Sequence, residues 1–205
     1  MWMRATLLLA PAICFAAPDV EGLLAKLARP APATTPFVEV RYSRLLDQPL
    51  VVKGQLEYHE NGALVRAVKE PFIERTEIQG ETVSIERVGR APRKFSLKRA
   101  PELRTTLAGF GAILGGSRET IEQDFNLVVK NDADHWQLTM TPKSATVGKY
   151  VRDIVIHGRE SDPKCIVVTQ PDTQSSVMLV GKAASTSLPQ PIKREWLDSF
   201  CASGS

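Results

Sequence analysis

The side chains best able to do chemistry are scattered along the chain. Ser84, Ser96 and Ser117 could each supply a nucleophile, but a serine needs a base within hydrogen-bond reach, and none of the three sits in a G-x-S-x-G turn. No H-E-x-x-H pair and no phosphate-binding glycine loop occurs. Gly109, Gly111, Gly115 and Gly116 fall within or after a helical stretch, not between a strand and a helix N-terminus, so they read as a flexible or closely packed helix end. His59, His135 and His157 show no metal-ligand spacing, and His157 falls beside Val155 and Ile156 in a strand-like run, where a satisfied histidine is the expectation. Neither catalysis, nor a metal, nor a cofactor is expected.

The chain has 205 residues, 43% hydrophobic and 24% charged, enough for one globular domain with a sizeable core. Its net charge of +3 is small. The basic group Arg87, Arg90, Arg93, Lys94, Lys98, Arg99 and Arg104 reads as a solvated face around an exposed turn, with an anionic membrane or lipid head group as the alternative partner. Nucleic acid is not an expected partner, because these cations lack interleaved aromatics and any reader motif.

Residues 1–16 have the layout of an export signal: Arg4, then an apolar run from Ala5 to Phe15, then small residues. Cleavage after Ala16 places Cys14 at −3 and Ala16 at −1. The apolar run is shorter than the twenty or so residues that span a bilayer. Ile13 is too large for the position before a lipidated cysteine, so the mature chain, residues 17–205, reads as soluble and exported. Cys165 and Cys201 then remain in a compartment that permits disulfides. A bridge between them would close a loop of a few tens of residues, although Cys201 lies near the tail.

The elements that must position these side chains follow from periodicity. Val20, Leu23, Leu24 and Leu27 form a helical stripe that Asp19 can cap and Pro30 ends. Pro30 to Pro36 reads as a stiff extended link into a first strand, where Val38, Val40 and Tyr42 face one way and Glu39 and Arg41 the other. From Gly54 to Ile85 the alternation has period two, with turns at Glu60-Asn61-Gly62, Pro71 and Gln79-Gly80, predicting an antiparallel meander. Val52, Gly54, Leu56 and Tyr58 share one face of its first run, and a one-residue slip would turn that set to water. A helix is predicted from Pro101 with the stripe Leu107, Phe110 and Leu114, and a short one after Ser117. Hairpin strands resume at Phe125 and run to Val180, and Ile192, Trp196 and Phe200 predict a closing helix. The economical arrangement of about eleven strands and a few helices is a highly curved antiparallel sheet wrapped around the helices.

The segments GQLEY with its hairpin, the Pro71 turn, IQGETVSI, the insertion beginning APEL, HWQLTMTPK and QSSVMLV resemble, in order and spacing, the LolA/LolB superfamily of periplasmic lipoprotein carriers. The likeness is greater to a LolA-related branch found with lipid and aryl-polyene pathways. It implies a mainly antiparallel, curved, incomplete β-barrel with a helical lid around an apolar cavity, in a LolA-like carrier domain over residues 17–205. Cavity lining is expected from Val40, Tyr42, Leu56, Tyr58, Ile85, Leu97, Leu138, Met140, Ile154 and Ile156, with Leu107, Phe110 and Leu114 from the lid. The Arg-Pro pair that latches the lid in such carriers is replaced by Glu60-Asn61, so the latch is not carried over.

The resemblance implies a periplasmic, monomeric carrier that shields a lipoprotein or other acylated amphiphile. It would take that cargo from an inner-membrane exporter toward an outer-membrane acceptor. A lipid-sensing half-barrel of envelope signalling and a carrier of an acylated pigment precursor are the alternatives.

Overall fold

The structure is a computed structural model that describes residues 20–97, 118–132, 135–172 and 174–203. The leader read over residues 1–16 and the lid residues Leu107, Phe110 and Leu114 lie outside the described residues.

Eleven strands form one antiparallel sheet that is not closed. Helix α1 (Val20–Leu27) leads into the meander β1 (Ala33–Tyr42), β2 (Leu50–Tyr58), β3 (Leu64–Glu70), β4 (Glu74–Gln79), β5 (Thr82–Arg87) and β6 (Arg93–Ser96). Helix α2 (Arg118–Asp124) precedes β7 (Phe125–Asp132) and β8 (His135–Pro142), and the short helix α3 (Ala145–Gly148) leads to β9 (Asp153–Arg159), β10 (Asp162–Thr169) and β11 (Ser175–Val180). A 3₁₀ turn (Gly181–Ser185) and helix α4 (Arg194–Ala202) follow. The strand order is β6-β5-β4-β3-β2-β1-β11-β10-β9-β8-β7, so β1 is central and the two halves grow outward from the β1–β11 seam.

The turns form where the sequence predicts them. Gly62 takes φ +76°, a left-handed conformation that costs glycine little, and the Asn61 side chain accepts a hydrogen bond from the Ala63 N–H at 3.0 Å. Strand β1 begins earlier than expected, at Ala33, and includes Pro36 opposite Gln55. Pro36 lies beyond the last β11 pair, where β1 has one neighbour, the kind of edge position a proline requires.

The sheet curls. One continuous buried cluster joins Phe37, Val52 and Val68 from one half with Phe125, Leu138, Ile154 and Ile166 from the other, together with Leu24 and Leu27 of α1 and Ile121 of α2. That cluster defines the inner face. The outer face of the central strands is covered by α4: Val40, Cys165, Val167, Val177 and Leu179 pack with Leu197 and Cys201. In α4 the expected residues Trp196 and Phe200 stack on each other at 5.2 Å and are only partly buried, while Leu197 and Cys201 point fully inward.

Candidate functional site

The inner face changes character across the sheet. On β7–β10 it is apolar and mostly filled: Leu138, Met140, Ile154 and Ile156 are buried in the main cluster, which includes side chains of α1 and α2, while Leu127 and Val168 are partly buried against it. On β2–β6 it stays open in part. Leu56 pairs across the ladder with Arg66, then Thr76, then Ile85, and Tyr58 pairs with Leu64, then Ile78, then Val83, then Phe95, so each row shares one side of the sheet. Leu56, Tyr58, Leu64, Ile85 and Phe95 are each only half-buried. Ile85 and Leu97 belong to a smaller cluster with Ile78 and Val83, separate from the main one.

Val40 and Tyr42 are a correction. They pair with Val51 and Ser175 and pack in the cluster under α4, on the opposite side of the sheet from Leu56 and Leu138, so they do not line the inner face. The inner side of β1 is instead Phe37, Glu39 and Arg41. Alternation separates the two faces of a strand, but when both faces are covered it does not say which one is inside.

Glu39 gives the inner face a charged centre. Its carboxylate is buried and takes three hydrogen bonds: from Arg41 Nε at 2.8 Å, from Arg41 Nη2 at 2.9 Å and from Arg66 Nη2 at 2.6 Å. Burial alone would raise its pKa. The Arg41 hydrogen bonds and charge, with those of Arg66, outweigh it and hold the carboxyl below its usual range. Arg66 also lies over the Phe37 ring, 4.9 Å from its centroid, and Arg87 over Phe72 at 3.8 Å. The inner surface is therefore apolar with a compensated charged trio at its middle. Arg66 is 27 positions from Glu39 and reaches it only because β1, β2 and β3 are neighbours.

The remaining candidates are dispersed. Ser84 faces outward, in register with Glu77 and Lys94. Ser117 lies outside the described residues. His59 contacts Glu57 at 2.9 Å on the outer side, where Arg75 also reaches Glu57. His135 and His157 stack with ring centroids 5.7 Å apart on the outer side, with His157 in register with Cys165. Burial, with His135 next to it, lowers the His157 pKa to about 4. No group of three or more His, Cys, Asp or Glu among the described residues could hold a metal ion. Cys165 and Cys201 form a disulfide that ties α4 to β10.

A family model described as "Outer membrane lipoprotein carrier protein LolA-like" matches residues 12–201. The chain belongs to this LolA-like family. Three solved structures resemble this LolA-like chain. The LolA superfamily protein NE2245 from Nitrosomonas europaea is 12% identical, with 88% of this chain and 100% of that one covered and a TM-score of 0.42. LprF from Mycobacterium bovis is 14% identical (87% and 100% covered, TM-score 0.36), and the MucA/MucB complex of Pseudomonas aeruginosa is 12% identical (88% and 60%, TM-score 0.38). Comparison of the LolA-like chain with curated proteins finds no match. Among its described residues, no helix is long and apolar enough to cross a membrane.

Proposed function

We propose that this chain is a periplasmic carrier, exported with residues 1–16 removed, that shields the acyl chains of a lipoprotein or another amphiphilic lipid and ferries it toward the outer membrane without catalysis. The observation that carries this reading is the inner face of a LolA-like sheet whose apolar side chains are not all covered: Leu56, Tyr58, Leu64, Ile85 and Phe95 on β2–β6, with Leu127 and Val168 on β7 and β10, are left half-buried. An acyl chain loses about 0.8 kcal/mol per methylene exposed to water, so an aqueous passage needs such a surface. Release needs an acceptor that binds the cargo better, which sets the carrier's affinity at a moderate value.

Uptake of a fluorescent fatty-acid probe tests the reading, together with native mass spectrometry of the gently purified protein. Leu56→Asp on the inner face should weaken probe uptake about tenfold or more, while Trp196→Ala on the outer side should leave it unchanged. A protein that takes up no probe and carries no lipid overturns the proposal. The mass of a bound molecule separates a lipoprotein from an acylated pigment precursor.

A further inference from the structure

The two ends of the sheet differ in chemistry. At one end lie the turns 43–49, 71–73, 88–92 and 143–152 and the described residues of 170–174, because β1, β3, β5, β8 and β10 finish there. Six large apolar side chains are exposed among the described residues, and five of them stand on these turns: Leu45 (91% exposed), Leu46 (46%), Ile73 (63%), Val88 (72%) and Tyr150 (51%). The sixth, Val128, lies within strand β7. Ile73 and Val88 are neighbours, since the Val88 N–H donates to the Ile73 carbonyl at 3.1 Å.

The apolar end also carries an excess of cations. Arg44 is offset by Asp172 and Arg152 by Asp153, which leaves exposed Arg90, Lys143 and Lys149 against Asp47 on the apolar end. At the opposite end, the described residues of the turns 59–63, 80–81, 131–135 and 160–161 carry Glu60, Glu81, Asp132 and Glu160, but Arg159 and the Asp162 partners Arg29 and Lys182 lie there too and bring it near charge balance; these turns carry none of the exposed large apolar side chains. Scattered surface leucines need no explanation, but their segregation to the basic end does.

We infer that the end carrying Leu45, Ile73, Val88 and Tyr150 docks on an anionic bilayer surface, its apolar tips entering the head-group region and its cations meeting acidic lipids. The tips come from several turns along this end: Leu45 and Leu46 from one, Ile73 and Val88 from an adjoining pair, and Tyr150 from another. A fluid surface accepts such spaced tips one by one, whereas a protein partner would need a complementary rigid face. The described residues of the opposite turns offer no exposed large apolar tip and the charges there nearly cancel, so the molecule docks in one orientation.

The test is flotation of the protein, recovered from the periplasm of an expression host, with vesicles of phosphatidylcholine alone or with about one-third phosphatidylglycerol. Binding is expected to the anionic vesicles, to be weak on neutral ones, and to fall at about 1 M salt. Leu45→Ser, Ile73→Ser and Val88→Ser should each weaken it about tenfold, and Arg90→Ala and Lys149→Ala about fivefold each. Glu60→Gln and Asp132→Asn should leave it undiminished. All these side chains are at the surface, so folding is not at stake. Absence of flotation, flotation unchanged by the Leu45, Ile73 and Val88 variants, or self-association abolished by those variants, which would assign the surface to a second copy, would each overturn the inference. Fatty-acid probe uptake is measured separately on the same variants and should be normal, so failure of docking is distinguishable from failure of the carrier reading.

Discussion

Removing the Cys165–Cys201 bridge should cost stability and leave cargo uptake intact. The two cysteines are 36 positions apart, and closing a loop of that length removes about 13 cal/mol/K of entropy from the unfolded chain, or about 3.8 kcal/mol at room temperature. Helix α4 is also held by packing: Leu197 and Cys201 are fully buried against Val40, Val167 and Leu179, and that contact survives a Cys→Ser change in large part. The expected loss in Cys165→Ser/Cys201→Ser is therefore the loop term, about 3–4 kcal/mol, which corresponds to a fall in Tm of about 8–15 °C for a chain of this size. Thermal unfolding followed by circular dichroism, with and without reductant, measures it. Reductant should lower the wild-type Tm and leave the variant's alone. Because α4 and the bridge lie on the outer side, the variant should bind fatty-acid probe normally at 25 °C. A loss below about 1 kcal/mol would refute the loop-closure reasoning. Probe binding lost while the variant is still folded would refute the assignment of cargo to the inner face.

Other perturbations follow from the same geometry. Gly158→Ala would place a Cβ 2.1 Å from the Trp136 ring and 2.6 Å from the Asp162 carbonyl oxygen, so it should destabilise by about 1–3 kcal/mol in a urea titration. Glu39→Gln should cost about 3 kcal/mol, the low end for a buried pair because Arg41 remains half in water. The folded pKa of Glu39 lies below 4.5, so its contribution is present above about pH 4.5 and lost as pH falls through the folded value. The Gln variant should accordingly show a flatter acid limb, and an unchanged limb would exclude this role. His157 is held near pKa 4 against an ordinary 6.5, so the unfolded chain binds more protons between those values. Stability should decline as pH drops from 6.5 toward 4, and His157→Gln should reduce that slope in denaturation curves taken across the range.

Much of the sheet was legible because its turns announce themselves. Asn61-Gly62, Pro71 and Gln79-Gly80 mark the hairpins, and period-two alternation between them sets which residues share a face. Helix α1 was legible from Leu23, Leu24 and Leu27, and a LolA-like half-barrel from the order of the segments. The orientation of β1 was not. Val38, Val40 and Tyr42 are the more apolar set, yet they face outward, Val40 and Tyr42 under α4, and Glu39 faces in because Arg41 and Arg66 neutralise it. That compensation is long-range, and no local pattern encodes it. The stacking of His135 on His157 escaped for the same reason, since a strand pairing 22 residues apart in sequence creates it. The segregation of exposed side chains to one end was equally hidden, because it emerges only when alternate turns are gathered by the strand order.

The central seam has a consequence for how the molecule is made. Phe37 lies opposite Val180, so the strand in the middle of the sheet waits for a partner that is synthesised almost last. Each half can zip its own hairpins early, but joining them closes a loop of well over a hundred residues, a slow step with a large entropy cost. Until then both halves keep a bare strand edge, open to mispairing with another chain.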